Sequence, residues 1–261
     1  MADTVVYLYA LVRPGVVPDL SPLRGVSGTA VRLVRDDRLA CLVSDVDEDE
    51  FGETALRTNL EDLRWLERAA REHDAVVAAA AREMCTAPLR FATVCRDDAS
   101  VRARLHVLGP QAAAVLDRID GCDEWGVKLY ADPSSPVPVP AGGSVVDEHG
   151  ATGSGTAYLM QRRRELADRA FAVEQDARAA DEVFAVLAES AVAARRHRLQ
   201  DPQLSGDQRP MLLNGAFLVR RGDADSFRAL VHAVAYGRRS IAAVLTGPWA
   251  PYSFASTEQD P

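Results

Sequence analysis

The side chains able to do chemistry lie scattered along these 261 residues. Asp45, Asp47 and Asp49 share the alternate spacing of the oxygen ligands that open a calcium loop. Such a loop also needs glycine at its sixth position for the sharp turn and a bidentate glutamate at its twelfth. Glu50 and Leu56 stand there, so the run reads as a solvated acidic loop. The five histidines, His73, His106, His149, His197 and His232, form no H-x-x-x-H pair, and none lies beside a cysteine at zinc-ligand spacing. Cys41, Cys85, Cys95 and Cys122 contain no C-x-x-C and read as buried thiols of a reducing compartment. Gly150, Gly153 and Gly155 lack the Gly-Lys-Ser/Thr that completes a phosphate loop, and they read as linker. No G-x-S-x-G elbow presents a nucleophilic serine. These patterns predict no catalytic residue, no metal and no cofactor.

Charge narrows the partners. The net charge is −8 and the isoelectric point about 5.2, whereas nucleic acid and anionic membranes both call for a basic surface. Arg162-Arg163-Arg164 and Arg195-Arg196 are too short for a nucleic-acid patch. With Glu165 and Asp168 close by, they read as surface ion pairs. No apolar run approaches the ~18 residues of a membrane-spanning helix, and no basic region precedes the strand-length apolar stretch at the N-terminus. The expectation is a cytoplasmic protein with no nucleic-acid, membrane or small-molecule partner. Lys128 is the only lysine, the other basic residues being arginine.

Hydrophobic spacing places the elements. Residues 5–12 are apolar, aromatic and β-branched until Pro14 and Gly15, and predict a buried first strand. Residues 30–34 and 39–44 flank Arg35-Asp36-Asp37-Arg38 as a β-hairpin. Thr58 and Glu61 are spaced as a capping box for a helix whose stripe would be Leu60, Leu63, Leu66 or Glu67, Ala70, His73 and Val77. Residues 89–95 read as a strand. A helix capped by Asp97 or Asp98 should run to Leu108, break at Gly109-Pro110 and resume to Ile119. In residues 123–130, Trp125, Val127 and Leu129 share one face at period two, and Lys128 and Tyr130 the other. No Gly or Pro interrupts residues 156–199, where Leu159, Leu166, Val173, Ala180, Leu187 and Ala194 repeat every seven. That pattern reads as a helical hairpin, a coiled-coil seam through which the protein self-associates, or one long core-packed helix. Residues 211–220 read as a strand, and a short helix carries Phe227, Leu230, Val231 and Val234. Residues 241–245 form a last strand, and the tail, with Pro248 and Pro251, should be non-helical.

The predicted class is α+β in two domains. Residues 1–121 form an N-terminal mixed α+β domain. Residues 122–261 form a ferredoxin-like domain with a long helical segment and a flexible insert at 131–155, rich in Pro and Gly.

Residues 124–130 (EWGVKLY), 212–219 (LLNGAFLV) and 246–254 (TGPWAPYSF) are more particular than composition explains. Together they resemble the GvpL/GvpF family of gas vesicle proteins. So do the opening Tyr7-Leu8-Tyr9-Ala10, residues 88–94 (PLRFATV), residues 155–159 (GTAYL) and the arginines at 162–164, in the same order over almost the whole chain. The resemblance implies a non-enzymatic role in forming gas vesicles, with binding to the small hydrophobic shell protein and to other gas vesicle accessory proteins. It also implies a two-domain α+β fold whose second domain is a modified ferredoxin-like one. The residues it singles out are Trp125, Gly126, Lys128, Tyr130, Asn214, Phe217, Gly247, Pro248, Trp249, Pro251, Tyr252 and Phe254. The aromatics among them serve either as a contact surface or as core. The alternative function is a small-molecule-binding or enzymatic ferredoxin-like protein, which a deep pocket with convergent polar groups would mark.

Overall fold

The structure is a computed structural model that describes residues 3–15, 18–131, 154–200, 207, 209–236 and 241–255. The insert expected to be flexible lies almost wholly outside the described residues. At its borders Ala131 ends a strand and Ser154 and Gly155 already belong to a helix. The chain forms two compact units. Trp125–Thr246 make one; the residues up to Glu124 and the chain from Gly247 onward make the other. The expected assignment of the whole C-terminus to the second domain is therefore corrected. The aromatic tail after Thr246 belongs with the N-terminal half, and Ala250 is part of that half's core.

The first unit is built on an antiparallel sheet. Its strands are β1 (Thr4–Val12), β2 (Arg32–Arg35), β3 (Ala40–Asp47), β4 (Thr86–Pro88) and β5 (Val94–Cys95). They run in the order β2-β3-β1-β4, with β5 also on β1. β1 is central, and Val5 through Val12 are all buried, which is why it reads as a continuous apolar run. Two short helices, α1 (Glu48–Phe51) and α2 (Glu53–Asn59), lead to α3 (Leu63–Glu83). The α4 helix (Asp98–Ile119) follows β5.

Three local expectations change. The α3 helix starts after Asp62, whose carboxylate accepts from the Arg64 and Trp65 amides at 2.9 and 3.4 Å, so Thr58 and Glu61 precede it. Its buried stripe is Trp65, Ala69, His73, Val76, Val77 and Ala80, while Leu60 and Leu63 are exposed. Residues 89–93 are not a strand; the chain turns through Ala92 at φ 60° between β4 and β5. The α4 helix runs unbroken through Pro110. The carbonyl that proline deprives of a donor is that of His106, four residues back, and His106 is solvent-exposed.

The second unit is built from β6 (Cys122–Ala131), α5 (Ser154–Glu189), β7 (Ala193–Arg196), β8 (Met211–Arg220), α6 (Ala224–Tyr236) and β9 (Ile241–Trp249), the first residues of β6 and the last of β9 belonging to the first unit. Its sheet runs β7-β8-β6-β9. A β-α-β-β-α-β chain with the first and third strands side by side in the centre is the split βαβ arrangement of ferredoxin-like domains. The expected helix to residue 199 stops at Glu189, where Ser190 Oγ donates to the Leu187 carbonyl at 2.8 Å. The following β7 pairs antiparallel with β8, Ala193 opposite Leu218 and Arg196 opposite Gly215. No residue in 190–196 breaks a helix, so pairing with β8 decides the outcome. One face of the sheet, with Trp125, Val127, Leu129, Leu213, Phe217 and Val219, packs against Ala180, Val183 and Leu187 of α5 and Phe227 and Val231 of α6.

A last turn of helix, α7 (Tyr252–Ala255), follows Pro251. The tail is thus helical after its second proline and not before it, as proline is tolerated where a helix begins.

Candidate functional site

The residues singled out from the sequence fall into two groups, one in each unit. In the second unit Trp125 is buried beside Phe227, with ring centroids 6.5 Å apart. Phe217 lies between Phe184 and Phe227 at 5.4 and 5.5 Å. Tyr130 is buried on the other face of β6, its ring 5.0 Å beneath the Arg209 guanidinium, which also holds Asp207. Lys128 donates to Gln200 Oε1 at 3.0 Å. Asn214 holds the strand leaving β7: its Nδ2 donates to the Arg198 carbonyl at 3.0 Å, and its own carbonyl accepts from the His197 amide at 2.7 Å. A Cβ on Gly126 would stand 2.6 Å from Thr246 Oγ1, so this strand pair needs glycine there. These residues shape a core and its sheet; none converges on a pocket.

The second group is the tail, which fastens to the first unit. Gly247 has φ 119°, open only to glycine, where the chain turns out of the second unit. Ala250, Pro251 and Phe254 are buried. Ser253 donates twice to the Glu124 carboxylate, from its amide at 2.7 Å and its hydroxyl at 2.6 Å. Arg118 Nη2 donates to the Phe254 carbonyl at 2.7 Å, and Tyr252 OH donates to Asp74 at 3.2 Å. Burial, with the Asp74 charge beside it, raises the Tyr252 pKa, so the phenol stays protonated and serves as a donor. Arg118 and Asp74 carry no motif and were not visible as anchors in the sequence. Glu124 was visible only as the first letter of one. Trp249 alone among the six aromatics weighed as contacts has more than half of its surface exposed, at 52%; Tyr252 is 36% exposed.

Beneath the tail lies the densest aromatic cluster of the unit. Tyr7, Tyr9, Phe91 and Tyr252 surround His73 at 5.6–6.4 Å between ring centroids. Tyr7 OH accepts from the Ala92 amide at 3.0 Å and shares a hydrogen bond of 3.1 Å with His73 Nδ1. His73 Nε2 is buried with no hydrogen-bond partner within reach among the described residues. Burial pushes the His73 pKa down to about 4, and its neutral ring belongs to the core.

The remaining chemical candidates are structural. Asp45 holds Arg32, which also pairs with Asp98. Asp47 caps α1 by accepting from the Asp49 amide at 2.9 Å. Cys41 is buried, and burial raises its thiol pKa. Among the described residues, no three His, Cys, Asp or Glu side chains are grouped to hold a metal ion, and no helix is long and apolar enough to cross a membrane. A groove of about 380 Å³ on α3 is lined by Arg64, Glu67, Arg68, Arg71 and Glu72, a surface array of mixed charge with no nucleophile in it.

The family model of gas vesicle synthesis protein GvpL/GvpF matches residues 5–256. The chain belongs to this family. Gas vesicle protein L of Streptomyces sp. (strain CB03234) is 38% identical over 99% of this chain and 95% of its own length. Gas vesicle protein F of the same strain is 29% identical over 95% of this chain and 98% of its own. The fold matches the crystal structure of the gas vesicle protein GvpF from Anabaena sp. PCC7120, with a TM-score of 0.70 and 16% identity over 97% of this chain and 96% of that one. It also matches that of GvpF from Microcystis aeruginosa, with a TM-score of 0.64 and 16% identity over 97% and 99%. This GvpL/GvpF protein therefore has a gas-vesicle-related role on a mixed α+β fold.

Proposed function

We propose that the chain acts in gas vesicle assembly in the cytoplasm, without catalysis, by binding the small hydrophobic shell protein. Other accessory proteins of the vesicle are further partners. A shell subunit that polymerises through apolar surface needs a partner that covers that surface with a rigid apolar anchor. Trp249 supports this reading. It stands half exposed while the residues around it are fastened, by the Gly247 turn before it and by buried Ala250, Pro251 and Phe254 after it. An aromatic held outward on a fixed backbone loses little freedom on binding.

The test is capture of the shell protein by the full-length chain and by its Trp249→Ala variant. The variant should stay folded, losing only about 1 kcal/mol because half of the side chain is already exposed, and its capture should fall about tenfold. Undiminished capture would exclude Trp249 as the contact. No capture by the parent would exclude the shell protein as the partner.

A further inference from the structure

The sheet of the second unit ends on a strand whose outer edge is bare. Its order makes β7 and β9 the two edges, and among the described residues no strand pairs with β9 on the side away from β6. An edge strand offers a row of free N–H and C=O groups to any extended chain, so proteins blunt their edges with short strands, proline or charge. The other edges follow that rule. β7 is four residues long and carries Arg195 and Arg196. In the first unit, β2 has four residues with arginine at both ends, β4 has three and ends in Pro88, and β5 has two. β9 has none of these devices before Pro248, and no side chain from Ile241 to Ala250 is charged. The stretch from Ile241 to Thr246 leaves about 20 Å of edge open, at about 3.3 Å per residue. Ile241, Ala243 and Leu245 pack on the core of the unit. Ala242 and Val244 alternate with them on the other face, where Val244 is 38% exposed.

We infer that this edge of β9 is a docking site, at which an extended, uncharged, apolar segment of the shell protein adds as a fifth strand to the four-stranded sheet. The inference rests on the shell-binding role proposed above and names how the partner is held. The backbone of such a segment completes the free ladder, and apolar residues at alternate positions extend both faces of the sheet. A helix cannot complete it, because its N–H and C=O groups are bonded within the helix. A charged strand would set its charges beside Val244 and Leu245, on an edge with no charge to pair them. Three residues after Thr246 the chain reaches Trp249, so the open ladder and the exposed aromatic follow one another in one uncharged stretch.

Capture of the shell protein by the full-length chain, joined to hydrogen exchange, tests this. Val244→Lys should lower capture at least about tenfold, since lysine on an edge opposes strand addition. It should stay folded, with unchanged circular dichroism and a melting temperature within about 5 °C of the parent, because the lysine stem covers what valine covers and its amine reaches water. Val244→Thr, uncharged and β-branched, should capture within about twofold of the parent. In the complex the amides of residues 241–246 should exchange at least about tenfold more slowly than in the free chain, and those of β7 should not change. Capture by the parent that Val244→Lys does not weaken, or that leaves the amides of 241–246 unprotected, overturns the inference and spares the shell-binding role. No capture by the parent overturns both. A parent that dimerises by itself below about 50 µM in sedimentation equilibrium, with Val244→Lys monomeric and its shell capture intact, gives the edge to a second copy and also overturns the inference.

Discussion

Replacing Phe254 by alanine should loosen the N-terminal unit, although the residue lies near the opposite end of the chain. The side chain is 4% exposed. Truncating a buried phenylalanine costs about 3–5 kcal/mol, the lower end applying where the site can collapse. Main-chain anchors remain in the variant: Ser253 still reaches Glu124 and the residue-254 carbonyl still accepts from Arg118. A loss of about 3 kcal/mol follows, equivalent to roughly 10 °C in the melting temperature of a unit of this size. Hydrogen exchange read by mass spectrometry can assign the loss. Amides of α3 around His73 and of β4 should exchange about a hundredfold faster, because 1.4 kcal/mol is a factor of ten and these elements open with the unit. Amides of β8 and α6 should keep their protection. The reverse pattern, with β8 and α6 losing protection and α3 unchanged, would refute the placement of the tail on the first unit.

Acid should weaken the same unit through His73. Its pKa is lowered from 6.5 to about 4, so below pH 6.5 the unfolded chain binds a proton that the folded ring refuses. Stability then falls as the pH drops toward 4, by on the order of 3 kcal/mol. Asp74 opposes the shift, and Tyr7, Tyr9 and Tyr252 around the ring stay neutral over this range. Urea melts at pH 7 and pH 4.5 should differ less for His73→Gln than for the parent; equal slopes would show that other groups govern the acid response. In the second unit, Gly126→Ala should cost about 1–2 kcal/mol through its clash with Thr246, and adding Thr246→Ala should recover most of it in a thermal melt. No recovery would place the strain elsewhere.

Much of the fold is written locally. The β1 run, the β2–β3 hairpin and the period-two face of β6 follow from residue type alone, because each strand's burial is set by its own alternation or lack of it. Local pattern and structure part where a distant partner overrides a neutral local signal. Residues 193–196 form an edge strand because β8 offers free backbone groups. Pro110 stays inside α4 because the neighbouring His106 is solvent-exposed. The stripe of α3 reads out of phase from hydrophobicity alone because Leu60 and Leu63 are apolar but exposed, while Trp65 and Ala69 carry the buried face. At the candidate site the motif residues were legible as a set and their roles were not. Trp125, Tyr130, Phe217 and Phe254 are core and Trp249 is surface, a difference that depends on which distant element packs over each side chain. The tail's allegiance to the first unit was also invisible, since Arg118, Asp74 and Glu124 meet it from positions more than a hundred residues away in the chain.

The second unit is an insertion in the chain of the first, entered after Glu124 and left before Gly247. During synthesis this has a consequence in time. The ribosome adds about 5–20 residues per second, so roughly ten seconds separate the emergence of Glu124 from that of Ser253, its hydrogen-bond partner. Throughout that interval the inserted unit can complete its own sheet, while the first waits for its final piece with the surface under Tyr252 and Phe254 uncovered. A nascent chain stalled or cleaved before residue 250 thus carries a finished middle and an unfinished beginning, and chaperones or proteases that scan for apolar surface would find it in the part made first.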